Sequence, residues 1–493
     1  MMRVISTTIL RGLPCATALL VFATPLSAQR APDRSKPPAP GPAPALHLPA
    51  IEKLKLSNGL PVWLVEMHEV PVVQVNLVLS TGSADDPPGK FGVASLAMAM
   101  LTEGAGARST LEIADAVDFL GADLGAASAI DSSAVRLHVP AARLAGALPI
   151  MADVALHPTF PADELERQRD DRLTDLLQSR DDPPTIAALA FARVLYGAEH
   201  RYGTATVGTG ATIGSFTADD LRAFYRAAIR PDNATLLVVG DITRGAVVPL
   251  LESAFGAWKA DGPAPVHRTL PAAQERTARE VYIVDKPGAP QSQVRIGWVG
   301  VPRSTPDYFP IQVMNTILGG SFSSRLNMNL REQHGYTYGA GSSFDMRASA
   351  GPFAATAGVQ TDKTSPALTE FFKELDAILK AVPADELARA KNYVALRFPG
   401  GFETTADITR KLEDMLVYKL PDDYFAKYVQ NIQAVTAADV QRVARKYVQA
   451  GRFAVVVAGD RATIEPGIRA LALGPIHELT VDDVFGPEPK IGN

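Results

Sequence analysis

From Val73 to Leu79 the chain alternates, with Val73, Val75, Leu77 and Leu79 on one side and Gln74 and Asn76 on the other. That period predicts a strand with one face against a core. The pattern becomes helical in "ADELERQRDDRLTDLLQSR" from Ala162, where the charged run Glu164–Arg172 reads as a solvated helix face. At Phe216, "FTADDLRAFYRAAIRPDNATLLVVGDI" predicts a Thr-capped amphipathic helix followed by a β-branched strand. "VTAADVQRVARKYVQAGRFAVVVAGDR" from Val435 repeats that pattern without a gap, aligning Thr217 with Thr436 and Asp241 with Asp460 at an offset of 219. The same offset sets "VWLVEMHEVPVVQVNLVLS" from Val62 on "VYIVDKPGAPQSQVRIGWV" from Val281, with Pro71 on Pro290 and Gln74 on Gln293. The chain therefore reads as two copies of one module, over 51–260 and 277–493 (the latter ending in a tail). A Pro/Ala-rich linker at 261–276 joins them. Strands grouped with hairpin-like turns, then helices, predict an α+β sandwich in each module rather than a doubly wound parallel sheet.

One predicted helix is conspicuous for what it lacks. In "GKFGVASLAMAMLTEG" (89–104), small and apolar residues run from Gly92 to Leu101 with no good metal donor and no proton-transfer group. The stretch reads as buried core.

The 493 residues suit more than one core, and the net charge of −5 leaves no basic excess for nucleic acid. Residues 1–28 read as a cleavable secretory signal: Arg3 and Arg11, then the short apolar run Gly12–Phe22, then Ala28. That run is too short for a stable membrane anchor. Residues 29–50 read as a Pro/Ala-rich tether, and a bacterial periplasm is the expected destination. The single cysteine, Cys15, falls within the signal, so the mature chain is expected to have no thiol chemistry.

Several segments together resemble a known family. "LSNGLPVWLVE", "GKFGVAS", "HRYGTATVGT", the Phe216 segment and "LGGSFSSRLNMNLREQHGYTYGAGS" are similar to the pitrilysin/insulinase-type zinc metallopeptidases, in their short-chain bacterial and mitochondrial-processing-like branch. The resemblance runs from about Ile51 to about Asp460 and implies two similar α+β halves per chain. It further implies that two such chains, or two halves of one longer chain, close like a clamshell around a peptide. It also implies an inverted H-x-x-E-H zinc site, which falls here on "SLAMA". Ser95 and Ala99 stand at the two ligand positions, Met98 at the general base, and Asp175 near the third ligand. Ser is a poor zinc ligand and Met and Ala offer no hard donor. The eight histidines (47, 68, 138, 157, 200, 267, 334 and 477) include no pair within one helical turn. No metal or other cofactor is expected in this chain.

The resemblance further implies that Arg331 and Tyr338 stand where the family places a substrate-orienting Arg/Tyr pair. Locally, Ser323 or Ser324 is positioned to cap a helix that buries Leu326 and Leu330, and Gly335 to end it. A guanidinium and a phenol suit the negative charge that hydrolysis builds on a carbonyl oxygen. His200 matches a family His-Pro-Tyr-Gly turn, with Arg201 in place of Pro, and reads as structural. "GADLGAASAIDSSAVRLHV" from Gly121 matches a strand that pairs with substrate in catalytic members; here it reads as lining the cavity or a subunit contact. The leading expectation is a non-zinc subunit of a heterodimeric peptidase. It would act in trans through Arg331 and Tyr338 on peptide held with a homologous zinc-binding subunit. The alternative is an inert pseudopeptidase that serves as a peptide-binding scaffold or chaperone.

Overall fold

The computed structural model describes residues 50–260 and 269–489. The expected signal peptide, nearly all of the tether and the first half of the linker lie outside them.

The first half is built on six strands: β1 (Glu52–Lys55), β2 (Pro61–Glu66), β3 (Val72–Leu79), β4 (Asp123–Ser128), β5 (Ser133–Pro140) and β6 (Ala234–Gly240). They form a sheet in the order β1-β2-β6-β3-β5-β4. The second half has β7 (Glu280–Asp285), β8 (Gln291–Val299), β9 (Thr337–Phe344), β10 (Pro352–Gln360), β11 (Ala454–Gly459) and β12 (Ile476–Leu479). Its sheet runs β9-β10-β8-β11-β7-β12, the first order read backwards. Both sheets are mixed: β2 lies parallel to β6, and β7 parallel to both β11 and β12, while the other pairings are antiparallel. The edge differs between the halves. The preceding segment β1 fills it in the first, and the C-terminal β12 fills it in the second.

The repeat is reproduced residue by residue. Helix α4 (Ala218–Ala228) and helix α6 (Ala437–Tyr447) share the 219-residue offset, and each opens on a Thr–Asp capping box, Thr217–Asp220 and Thr436–Asp439. A threonine oxygen there takes an otherwise orphan helix N–H. Each helix buries the apolar stripe expected of it, Leu221 and Ala228 in one, Val440, Val443 and Ala444 in the other.

Strand β3 departs from expectation. It is buried on both faces, including Gln74 and Asn76. The cause is an exchange of helices between the halves. Helix α3 (Pro183–Tyr196) crosses from the first half onto β8 and β11 of the second sheet. Helix α5 (Thr405–Val417) crosses from the second half onto β3 and β6 of the first. Gly297 in β8 lies beneath this crossing: a Cβ there would strike the Phe353 carbonyl of β10 and lie 3.1 Å from the Phe191 ring of α3. On the first sheet, Glu413 of α5 accepts from Asn76 Nδ2 (2.6 Å) and Arg136 Nη2 (3.0 Å). Apolar burial and a polar tie thus hold the halves together. Among the described residues no helix is long and apolar enough to cross a membrane.

Candidate functional site

Helix α1 (Val93–Ala99) carries the three positions of the expected degenerate zinc motif. Its N-cap, Gly92, has φ +103 and no side chain to cap with; a Cβ there would strike the Val207 carbonyl. The capping group comes from upstream. The carboxylate of Asp86 accepts from the N–H of Gly92 (2.7 Å) and of Ala94 (3.0 Å). A second residue distant in sequence holds Asp86: Arg201 Nε donates to it at 3.0 Å, with both side chains almost wholly buried. The other guanidinium nitrogens donate to the carbonyls of Thr204, Ala205 and Thr206. Burial pushes the Asp86 carboxyl above its usual range, against the pull of Arg201 and the two N–H groups. Next to it, His200 is buried. Its Nδ1 accepts from Tyr202 N–H (3.0 Å) and its Nε2 reaches the Pro271 carbonyl (3.0 Å). No sequence pattern ties Asp86 to Arg201; the odd arginine in "HRYG" is the one signal available.

Within α1, Met98 is 0% exposed and packs in the main core, while Ser95 and Ala99 are half-buried. Facing them is helix α2 (Ala162–Ser179). Arg172 of α2 donates from Nη1 to Ser95 Oγ (3.0 Å) and from Nη2 to the Ser95 carbonyl (3.2 Å). Its Nε is buried without a partner. This corrects the reading of Glu164–Arg172 as a wholly solvated face. Arg172 points inward, and three residues before it Arg169 reaches the carbonyl of Phe216 at 2.7 Å. Burial lowers the pKa of Arg172, opposed by Asp175 one turn on. An arginine is not deprotonated in proteins, so a fixed cation sits against the Ser95 position. The side chains at 95, 98, 99 and 175 do not fit zinc. Hard donors are missing at Met98 and Ala99, the Ser95 hydroxyl is engaged, and the guanidinium repels a metal cation. Among the described residues no group of three or more His, Cys, Asp or Glu side chains is placed to hold a metal ion.

Arg331 and Tyr338 lie at the outer edge of the second sheet. Ser324 is the N-cap of the segment before them, but its hydroxyl makes no cap bond and is buried unpaired. The helix is not continuous either. One short turn, Arg325–Asn327, widens into a π-turn over Met328–Gln333, with Leu326 and Leu330 fully buried. Gly335, at φ +65, reverses the chain into β9. Arg331 sits on the π-turn with its guanidinium 4.8 Å from the Phe322 ring and 3.3 Å from Glu332. Tyr338 is 88% exposed. The register shift between Thr337 and Ala340 sets Tyr338 and Gly339 together opposite Gly358, a bulge of the kind that re-aims a side chain. No hydrogen bond or ring contact joins Arg331 to Tyr338 among the described residues. Both are presented outward, on segments whose ends are fixed.

A family model described as Insulinase (Peptidase family M16) matches residues 62–197, and one described as Peptidase M16 inactive domain matches residues 215–394. An uncharacterized zinc protease of Streptomyces coelicolor is 27% identical over 409 residues, covering 80% of this chain and 86% of its own. YmxG of Bacillus subtilis, also an uncharacterized zinc protease, is 26% identical over 346 residues, covering 70% and 82%. The crystal structure of a peptidase M16 inactive domain from Pseudomonas fluorescens superposes with a TM-score of 0.76 at 29% identity, covering 83% of this chain and 98% of that one. A protease from Helicobacter pylori has the same fold, with a TM-score of 0.76 at 22% identity over 83% of this chain and 100% of that one. The two family segments together span well over half of the sequence, and the chain belongs to the M16 (insulinase/pitrilysin) peptidase family.

Proposed function

We propose that this chain is the non-zinc subunit of a periplasmic, heterodimeric M16 metallopeptidase. A homologous partner carries the H-x-x-E-H helix. This chain contributes Arg331, Tyr338 and half of the peptide chamber. The observation that carries the reading is the pairing of opposites within one molecule. The zinc position is filled by Arg172 bonded to Ser95, whereas Arg331 and Tyr338 face outward. A cation and a phenol held at a sheet edge are suited to donate to a peptide carbonyl as negative charge develops on it. A scaffold that never meets a reacting carbonyl has no use for such donors.

The test is co-purification from the native periplasm, followed by peptide-hydrolysis assays of the complex and of each separated chain. The expected result is a zinc-bearing M16 partner, activity in the complex and none in this chain alone. Recovery of this chain without such a partner, and with no effect on hydrolysis when homologues are added back, would favour the scaffold reading.

A further inference from the structure

The two halves treat one pair of repeat-related strands differently. In the first half, Asn76 of β3 pairs across the sheet with Arg136 of β5, and both are satisfied by Glu413 from the crossing helix α5. At the 219-residue offset Asn76 becomes Arg295 of β8, whose cross-strand neighbour is Thr356 of β10. The cation has moved one strand, and its carboxylate is gone. The crossing helix over this sheet, α3, contains no acidic residue from Pro183 to Tyr196. Asp182, at its N-cap, is bound to Thr185. Among the described residues Arg295 has no hydrogen bond, ion pair or ring contact, although it is half-buried.

Its surroundings are open where the first half is filled. Arg295, Gln293 and Thr356 border a cavity of about 300 Å³ beside the start of α3. Gly339, Gly341 and Gly358 also line it, and contribute backbone rather than side chains. The cavity borders the bulge that presents Tyr338. A half-buried guanidinium without a counter-ion is costly to keep, and a planar fork of donors matches a carboxylate.

We propose that Arg295 is an anion subsite of the chamber, taking from a bound peptide the carboxylate that Glu413 supplies in the other half. This rests on the peptide-binding reading and narrows it to peptides that present an acidic side chain or a free C-terminus near the Arg/Tyr edge.

The test is direct binding to the full chain by fluorescence anisotropy, with no hydrolysis involved. The probes are labelled peptides of about ten Ala, Leu and Ser residues in three forms: one central Glu with an amidated C-terminus, Gln in its place with an amidated C-terminus, and Gln with a free C-terminus. The wild type should bind one of the two anionic forms about tenfold or more tighter than the neutral form, and which one identifies the source of the carboxylate. Arg295→Met should erase that preference while keeping neutral-peptide affinity, and Arg295→Lys should keep part of it. Its melting temperature should not fall, because no partner is lost, whereas Arg136→Met should lower it. Equal binding of all three peptides by the wild type would overturn the subsite and leave peptide binding standing. Unchanged preference in Arg295→Met would overturn it as well. Failure of every peptide to bind the wild type would overturn both.

Discussion

Replacing Arg201 by methionine removes the buried cation that holds Asp86 under helix α1. Methionine keeps most of the side chain's length and apolar volume, so the loss is chiefly polar. Three carbonyls lose charged donors, and Asp86 keeps only the N–H groups of Gly92 and Ala94. Breaking a fully buried ion pair from one side costs about 3–5 kcal/mol, because the other charge is stranded. Denaturant unfolding should show a loss in that range, and hydrogen exchange should speed up first at Gly92 and Ala94. The pH dependence has a definite sign. The folded-state carboxyl of Asp86 already lies above its usual value, and loss of Arg201 raises it further. A raised carboxyl pKa means that the folded state binds the proton more readily than the unfolded chain, so the penalty is present above the folded pKa and fades as pH falls through it. The gap between Arg201→Met and the parent should therefore narrow as the pH is lowered from neutral. In Asp86→Asn, which cannot titrate there, it should not. A variant within about 0.5 kcal/mol of the parent at neutral pH, or a gap that widens on acidification, would refute this account of α1.

Other expectations follow from the same geometry. The isolated chain, stripped and reconstituted with zinc, should hold no stoichiometric metal by elemental analysis; one tight zinc per chain would contradict the reading of Ser95, Met98 and Ala99. Ser95→His, Met98→Glu and Ala99→His together should still bind zinc poorly while Arg172 remains, and adding Arg172→Gln should improve binding measurably by calorimetry, since like charge is removed from the site. Glu413→Gln should weaken the tie between α5 and the first sheet by about 1–3 kcal/mol in denaturant unfolding, because the buried Asn76 and the part-exposed Arg136 both lose a charged acceptor.

What the sequence revealed was periodic or local. Thr217 and Thr436 cap helices as their spacing predicts, and the 219-residue offset survives as two sheets of matching order. The clearing of polar groups from residues 92–101 is real at Met98, which lies in the core. What stayed hidden depends on partners far apart in the chain. Asp86 and Arg201 carry no pattern that ties them. The inward turn of Arg172 looks, in sequence, like any charge on a mixed helix face. The crossing of α5 onto the first sheet explains why Gln74 and Asn76 are buried on a strand that reads as half-exposed, and only tertiary packing reveals it. The π-turn that carries Arg331 reads in sequence as an ordinary helix, because the apolar spacing from Leu326 to Leu330 fits both.

The central claim, that Arg331 and Tyr338 act on peptide held at a partner's zinc, is tested most directly by turnover in the reconstituted complex. With assembly confirmed by sedimentation, Arg331→Ala and Tyr338→Phe should each lower kcat for peptide hydrolysis by about 10²–10³-fold, the range for losing one preorganised donor to a developing oxyanion. The double variant should lose less than the product of the two, since both groups serve one carbonyl. Normal turnover by both single variants in an intact heterodimer would contradict the account.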